Sequence, residues 1–367
     1  MKKSKVLIIL AASVIFSMCK NGEQDFPDFD TSTVYFAYQS PVRTITLGRE
    51  YSSDNTLDNA WQCQIMATVG GFREVKKDIE ISFVVDNSMV DGKISNVEYM
   101  PTNYYELSDN KIVIQKSSKM IGGVTVQLKD AFFNDPLALK THYVIPLRMT
   151  GVTNADGTLS GVAQSTVQNP NRLIAEHWEV LPKDYILYGV KFINKWDAIY
   201  LRRGRDNITR DGVESTEIRR GRPGQTYYVE HDEVMSLKSL SLNEIEFIPT
   251  GHDDPGNVHL NLQLKLNFDQ NNNCSITAIE TDYTPIPEVR VYDVVVSGNG
   301  KYVENGEKNS WGYKDRDGLY LDYQVEYKIE STTGAYTTQE VKYVTKDTLV
   351  IRDRAITSEF FTPVLIN

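Results

Sequence analysis

Apolar and polar residues alternate with a period of two along much of this chain. Leu260, Leu262, Leu264, Leu266 and Phe268 are separated by Asn261, Gln263, Lys265 and Asn267, while Leu319, Leu321, Tyr323, Val325, Tyr327 and Ile329 are separated by mainly polar residues. Successive side chains of an extended chain point to opposite faces, so each run predicts a long strand with one dry face. Ile79, Ile81, Phe83 and Val85 predict a further strand, as do Val124, Val126 and Leu128. Strands are also expected over residues 185–192, 198–202, 289–296 and 340–344. Helical periodicity is weak, with residues 234–242 and 130–139 the only modest candidates. These patterns define an all-β protein, either two sandwiches or a sandwich followed by a barrel.

Residues 151–171 break the pattern, being rich in Gly, Asn, Asp, Thr and Ser with Pro170. Such a stretch is a linker or a long loop. It divides the chain into a sandwich over 33–150, a linker over 151–175 and a second antiparallel β domain over 176–367. Before the first strand, residues 20–30 are polar, acidic and punctuated by Pro27, which predicts a flexible tether over 19–32.

The extreme N-terminus has a different grammar. Three lysines lie within Met1 to Lys5, an apolar run follows from Val6 to Phe16, and Ser17 and Met18 lead into Cys19. The run falls short of the roughly 20 residues that span a bilayer, so residues 1–18 are expected to be a cleaved signal peptide. A cysteine at the cleavage point predicts lipidation: its thiol takes a diacylglyceryl group and its new amino group another acyl chain, enough to hold a domain on a membrane. Met18 and Phe16 depart from the usual small residue and leucine, and the alternative is a plain secretory signal.

Cleavage before Cys19 removes Lys2, Lys3 and Lys5, taking the formal charge from −10 to −13. Nucleic acid is therefore not an expected partner, because phosphate binding starts from clustered positive charge. With 367 residues, 41% of them hydrophobic, the chain has the material for two cores. Cys63 alternates with Trp61 and Ile65 and is expected to be a buried thiol. A Cys63–Cys274 disulfide is the lesser alternative, since the two stand on opposite sides of the expected boundary.

Several segments resemble a known family. Val34-Tyr-Phe-Ala-Tyr-Gln39, Val69-Gly-Gly71, Met100-Pro-Thr-Asn-Tyr-Tyr105 and Tyr143-Val-Ile-Pro-Leu-Arg148 are similar to a domain of Bacteroidota surface lipoproteins that also precedes some endo-glycosidases. Tyr188-Gly-Val-Lys-Phe-Ile-Asn-Lys195, Tyr200-Leu-Arg-Arg-Gly204, Ser310-Trp-Gly-Tyr-Lys-Asp-Arg316 and Asp347-Thr-Leu-Val-Ile-Arg-Asp-Arg354 resemble the domain that commonly follows it. The whole resembles SusE/SusF-like glycan-binding lipoproteins of polysaccharide utilisation loci. That resemblance implies an immunoglobulin-like β-sandwich followed by a larger antiparallel β domain, a lipocalin-like barrel or a jelly-roll sandwich. It also implies glycan capture at the outer-membrane surface beside SusC/SusD-like importer components, with membrane contact through the lipid anchor alone and no cofactor.

Saccharides are held by flat apolar rings against sugar C–H groups, with amides, carboxylates or guanidinium groups on the hydroxyls. Trp196, in Asn194-Lys-Trp-Asp197, and Trp311, in Asn309-Ser-Trp-Gly-Tyr-Lys-Asp315, each stand among polar, turn-forming residues. They are the candidate platforms, supported by Tyr313 and Asp315, each weighed against packing beneath a strand. Trp178, beside His177, is expected to pack near the linker. The doubled Arg202-Arg-Gly-Arg205 and Arg219-Arg-Gly-Arg222 is the arginine-rich feature of an acidic chain. Arg202, Arg203, Arg219 and Arg220 are candidate contacts for an acidic glycan, against the plainer reading of a hairpin neutralised by Asp206, Asp211, Glu214 and Glu217. No metal site is expected: Asn154-Ala-Asp-Gly157 and Asp315-Arg-Asp-Gly318 lack calcium-loop spacing, and His252-Asp-Asp254 with His259 lacks the spacing of a zinc site. No nucleophile elbow or zincin motif appears. Non-catalytic glycan binding is therefore the leading reading, a glycoside hydrolase with opposed carboxylates the first alternative, and a structural adhesin with a displaceable edge strand the second.

Overall fold

The computed structural model describes residues 29–366, except 118, 222–223, 225–226, 251–258 and 333–337. The signal peptide, Cys19, most of the tether and His252-Asp-Asp254 lie outside the described residues. The described chain is nearly all β, as its alternation predicts, and folds around two large cores.

The first core lies between two sheets. One runs in the order Gly157–Thr158, Thr33–Tyr35, Gln62–Gly70, Ile121–Leu128 and Tyr105–Leu107. The other runs Glu359–Phe360, Pro41–Thr46, Tyr185–Ile193, Tyr143–Thr153, Ile79–Val85 and Lys111–Ile114, with Glu98–Tyr99 added alongside Tyr143–Thr153. Alternate residues face inward as the pattern requires: Ile79, Ile81 and Phe83 are buried, as are Val124, Val126 and Leu128. The alternation fails at one position, Val85, which is exposed. Asp130–Phe133 forms one short helical turn and Pro136–Leu139 another, and the first packs Phe132 and Phe133 against Phe192 and Trp61.

The second core fills a barrel. Ala198–Arg210, Glu233–Ser239, Glu244–Phe247, Leu264–Phe268, Asn273–Ala278, Val289–Glu307, Arg316–Ser331 and Thr338–Asp353 pair in sequence order. The last strand pairs back onto the first, from Ile199 opposite Asp353 to Arg210 opposite Val341, so the antiparallel ladder closes on itself. Closure removes the edges that an open sheet would expose. Of the two architectures expected for this domain, the register defines the up-and-down barrel. Leu319, Leu321, Tyr323, Val325, Tyr327 and Ile329 all face its interior, which side chains fill. Val213–Arg219 pairs only with the outer half of Ala198–Arg210 and extends the wall beyond the barrel.

Three expectations are corrected. The expected boundary at 175/176 falls inside the sandwich, because Tyr185–Ile193 pairs in parallel with Pro41–Thr46 and antiparallel with Tyr143–Thr153. The expected linker is structured within the same unit: Gly157–Thr158 pairs with Thr33–Tyr35, and Asp156 accepts from the Ser32 N–H and hydroxyl, each at 2.7 Å. The helix expected near 234–242 is the strand Glu233–Ser239, which turns Met235 and Leu237 inward and leaves Val234 exposed. Cys63 and Cys274 are both free, buried thiols, and burial pushes each up to about 12.

Candidate functional site at the domain seam

The barrel leaves and rejoins the sandwich at one place. The Leu47 N–H donates to the Ile193 carbonyl at 3.1 Å just before the chain enters the barrel. Where it returns, buried Arg354 donates from Nη1 to the carbonyls of Leu47 and Arg49 and from Nη2 to that of Asn194. Arg49, Glu50 and Tyr51, in the loop after Pro41–Thr46, are thereby held against the barrel wall.

Tyr51 sits between two guanidinium groups, that of Arg49 at 4.9 Å and that of Arg316 at 4.5 Å from its ring centroid. Its hydroxyl accepts from the Asp317 N–H at 3.2 Å. Burial and the Asp317 carboxylate push the phenol well above its usual range, so it remains neutral. Asp317, itself fully buried, accepts from Tyr302 Oη at 2.7 Å and from the Asn305 N–H at 2.8 Å, and Arg49 donates to Asn305 Oδ1 at 2.6 Å. Sandwich loop and barrel wall thus share one hydrogen-bonded network.

Beside this network opens a shallow cleft lined by Arg49, Glu50, Tyr51, Asn305, Lys308, Lys314 and Asp315. The turn connecting Val289–Glu307 to Arg316–Ser331 forms one side. Gly312 and Tyr313 both adopt left-handed backbone, which a tyrosine takes only when its surroundings enforce it. The enforcing bonds are local: Tyr313 N–H to the Ser310 carbonyl, Ser310 N–H to the Lys314 carbonyl, and Arg316 Nε to the Trp311 carbonyl. The Tyr313 ring is left 87% exposed. Trp311 is half-buried, with the Arg352 guanidinium 5.5 Å from its ring centroid. Asp315 accepts from Lys308 Nζ at 2.8 Å and the Asn309 N–H at 3.1 Å, and these bonds, the lysine's first, hold its carboxyl below the usual range.

The expected site residues therefore separate. Trp311, Tyr313 and Asp315 share one turn, of which Asp315 lines the cleft while the Tyr313 ring is exposed and Trp311 is half-buried. Trp196 does not join them: it is 5% exposed and stacks on Phe268 in the barrel core at 3.9 Å between centroids, which corrects its expected role as a surface platform. Trp178 is half-buried near the former linker, donating to the Asn171 carbonyl at 2.8 Å. The acidic-glycan clamp is corrected for three of its four arginines. Arg202 is fully buried, with Asp347 at 2.9 Å and Glu233 at 3.2 Å. Arg219 is bound between Asp206 and Asp347, and Arg203 lies 2.6 Å from Glu307. Arg220 is exposed and lies over the Tyr227 ring at 3.7 Å. Among the described residues no group of three or more His, Cys, Asp or Glu side chains is placed to hold a metal ion.

The fold and the seam together define a two-domain β protein in which a closed barrel is inserted near the end of a sandwich. Residues 195–355 match a domain of unknown function, DUF5627, and residues 29–156 match a family described as an N-terminal domain. A solved Bacteroides ovatus protein of unknown function is 35% identical over 91% of this chain and 98% of its own, with a TM-score of 0.75, and the chain belongs to the same family. Weaker likenesses are a second Bacteroides ovatus protein of unknown function (12% identity, 90% and 98% coverage, TM-score 0.39) and a Bacteroides thetaiotaomicron protein called an auxiliary nutrient binding protein (12%, 86% and 92%, 0.33). No curated protein matches the chain.

Proposed function

We propose that this chain is a lipid-anchored outer-membrane protein that binds glycan without cleaving it in the seam cleft, as a SusE/SusF-like component serving a SusC/SusD-like importer. The observation that carries this reading is the turn over residues 308–315, which leaves the Tyr313 ring exposed and contributes Lys308, Lys314 and Asp315 to an open cleft that also contains Tyr51. A sugar offers C–H faces to such a ring and hydroxyls to such a lining. Asp315, held ionised, is suited to accept from a hydroxyl, whereas a glycosidase's general acid needs a raised pKa. The anchor rests on the residues around Cys19 and on the resemblance they share with surface lipoproteins.

A glycan array probed with the mature chain carrying Cys19→Ser tests the binding. Affinity is expected at about micromolar to millimolar Kd, or roughly −8 to −4 kcal/mol, with no reducing ends released from the bound glycan. Release that Asp315→Asn or Glu50→Gln abolishes would make the protein a hydrolase instead. Labelled palmitate is expected to enter the wild type and not Cys19→Ala, and equal labelling would remove the anchor.

A further inference from the structure

Tyr38 and Phe360 are large rings that the sandwich leaves outside, 61% and 56% exposed, with centroids 5.0 Å apart and planes tilted by 55°. Tyr38 belongs to the Val34-Tyr-Phe-Ala-Tyr-Gln39 segment, and Phe360 to the tail strand that returns to Pro41–Thr46. Neither is loosely held. On one side of Tyr38 the Phe36 N–H donates to the Lys183 carbonyl at 2.9 Å, and on the other the Gln39 carbonyl accepts from the Leu187 N–H at 2.7 Å. Phe360 stands opposite Pro41 in the ladder, and the Phe361 N–H donates to the Ser40 carbonyl at 3.1 Å. Rings fixed in this way lower the ordering cost of binding.

Both rings line a groove of about 320 Å³ between the tail and Pro41–Thr46, a size that suits a small ligand. It shares no lining residue with the seam cleft. Its polar lining includes Thr357, Ser358, Arg43 and Glu359. Thr357 and Ser358 are exposed, and among the described residues nothing hydrogen-bonds their hydroxyls. The two charges are already matched: Arg43 Nη2 donates to Asp58, and Glu359 accepts from Lys191 Nζ at 2.7 Å. The groove therefore combines apolar ring faces and open hydroxyls with no unbalanced charge.

We infer that this groove is a second saccharide site, taking neutral sugar residues with their C–H faces on Tyr38 and Phe360 and their hydroxyls on Thr357 and Ser358. It rests on the reading of the protein as a glycan binder and adds a site to it. The size of the patch decides against a protein partner. Aromatic side chains bury roughly 150–250 Å² each when fully covered, so these two offer roughly 200–300 Å², against about 800 Å² per partner in a stable protein interface. Two sites on one chain raise the affinity for a polysaccharide above that for a short oligosaccharide, because the second contact is made within one molecule.

The test starts from an array of neutral, uronate-bearing and sulfated glycans probed with the mature Cys19→Ser chain, which is expected on neutral spots. The neutral oligosaccharides that bind are then titrated against Tyr38→Ala, the Thr357→Ala/Ser358→Ala pair and Tyr313→Ala, singly and combined. Every substituted side chain is exposed, so melting is expected to be unchanged. Neutral binding is expected to persist in Tyr313→Ala. Adding Tyr38→Ala to it is expected to weaken that binding about tenfold or more, and adding the hydroxyl pair about fivefold. Should Tyr38→Ala lower the melting, the hydroxyl pair carries the test. Neutral binding that Tyr313→Ala abolishes and Tyr38→Ala leaves intact overturns this inference and leaves the seam reading standing. Binding to charged glycans alone overturns it as well. So does a wild-type dimer in sedimentation that Tyr38→Ala dissolves with glycan binding unchanged, which gives the face to a second copy. Binding to no glycan overturns both sites.

Discussion

Trp196 and Tyr313 present the same local signal, an aromatic ring between polar, turn-forming neighbours, and the structure sends them to opposite environments. The difference lies in Asn194. Its side chain is fully buried, accepts from the N–H groups of Trp196 and Asp197 at 3.1 Å each, and donates to the carbonyls of Ser241 and Glu244 at 2.8 Å each. The polar residues around Trp196 are thus an internal hub and not a solvated loop, a distinction that depends on partners nearly fifty residues away. Around Tyr313 the bonds are local, and the ring is left outside. Trp196→Ala is expected to cost about 3 to 5 kcal/mol of stability. Trp196→Phe is expected to cost less, since phenylalanine can keep the stack on Phe268 and removes an indole N–H that is buried without a partner. Tyr313→Ala is expected to leave stability within about 0.5 kcal/mol while removing about 1 to 3 kcal/mol of glycan binding, by analogy with ring stacking on bases. Denaturant melts and affinities measured on the same three variants check this, and a large destabilisation by Tyr313→Ala would assign its ring a structural role.

At the scale of the element, the strand Ala198–Arg210 shows why the barrel was only partly legible. Alternation marks its start at Ala198 and Tyr200, but the inward positions that follow are Arg202, Gly204 and Asp206, whose pattern reads as a polar surface. They face the interior because Asp347, Thr345 and Tyr323 face it from the neighbouring strands: Arg202 Nε donates to Asp347 at 2.9 Å, Tyr323 Oη to Asp347 at 3.0 Å, and Thr345 Oγ1 to Asp206 at 2.6 Å. Gly204 stands opposite both Asp347 and Arg219, and a Cβ there would lie 2.0 Å from Asp347 Oδ1 and 2.6 Å from the Lys346 carbonyl. Arg202 and Arg219 of the doubled arginine motif thus pair adjacent strands through Asp347 and form no surface clamp. Asp347→Ala takes one of two carboxylates from buried Arg202 and from half-buried Arg219 and is expected to cost about 3 to 5 kcal/mol. Gly204→Ala is expected to cost about 1 to 3 kcal/mol through overpacking. Urea unfolding distinguishes these from surface effects, and a change below about 0.5 kcal/mol for Asp347→Ala would show that water replaces its carboxylate.

For the whole molecule, strand existence was legible and strand membership was not. Nothing in the alternation of residues 185–193 says that they pair with Pro41–Thr46, because the partners are set by topology and lie more than 140 residues apart in the register Gly189 opposite Val42. The same holds for the C-terminal tail, where Glu359–Phe360 returns to Pro41–Thr46, Phe360 lies 5.0 Å from the Tyr38 ring, and Leu365 bridges to Ile94. The barrel is therefore tethered to the sandwich at both ends, with Arg354 bonded to both chain crossings. Such tethering predicts that sandwich and barrel unfold together, in one calorimetric transition whose van't Hoff and calorimetric enthalpies agree. Arg354→Ala leaves the carbonyls of Leu47, Arg49 and Asn194 to find other partners at the seam, and is expected to split that transition into two, the sandwich and barrel melting separately. Deleting residues 355–366 is expected to lower the sandwich's transition more than the barrel's, because the tail's strand, its ring contact with Tyr38 and its bridge to Ile94 all belong to the sandwich. A wild type that already melts in two steps, or an Arg354→Ala variant that melts as the wild type does, would show that the seam positions the cleft without coupling the stability of its two walls.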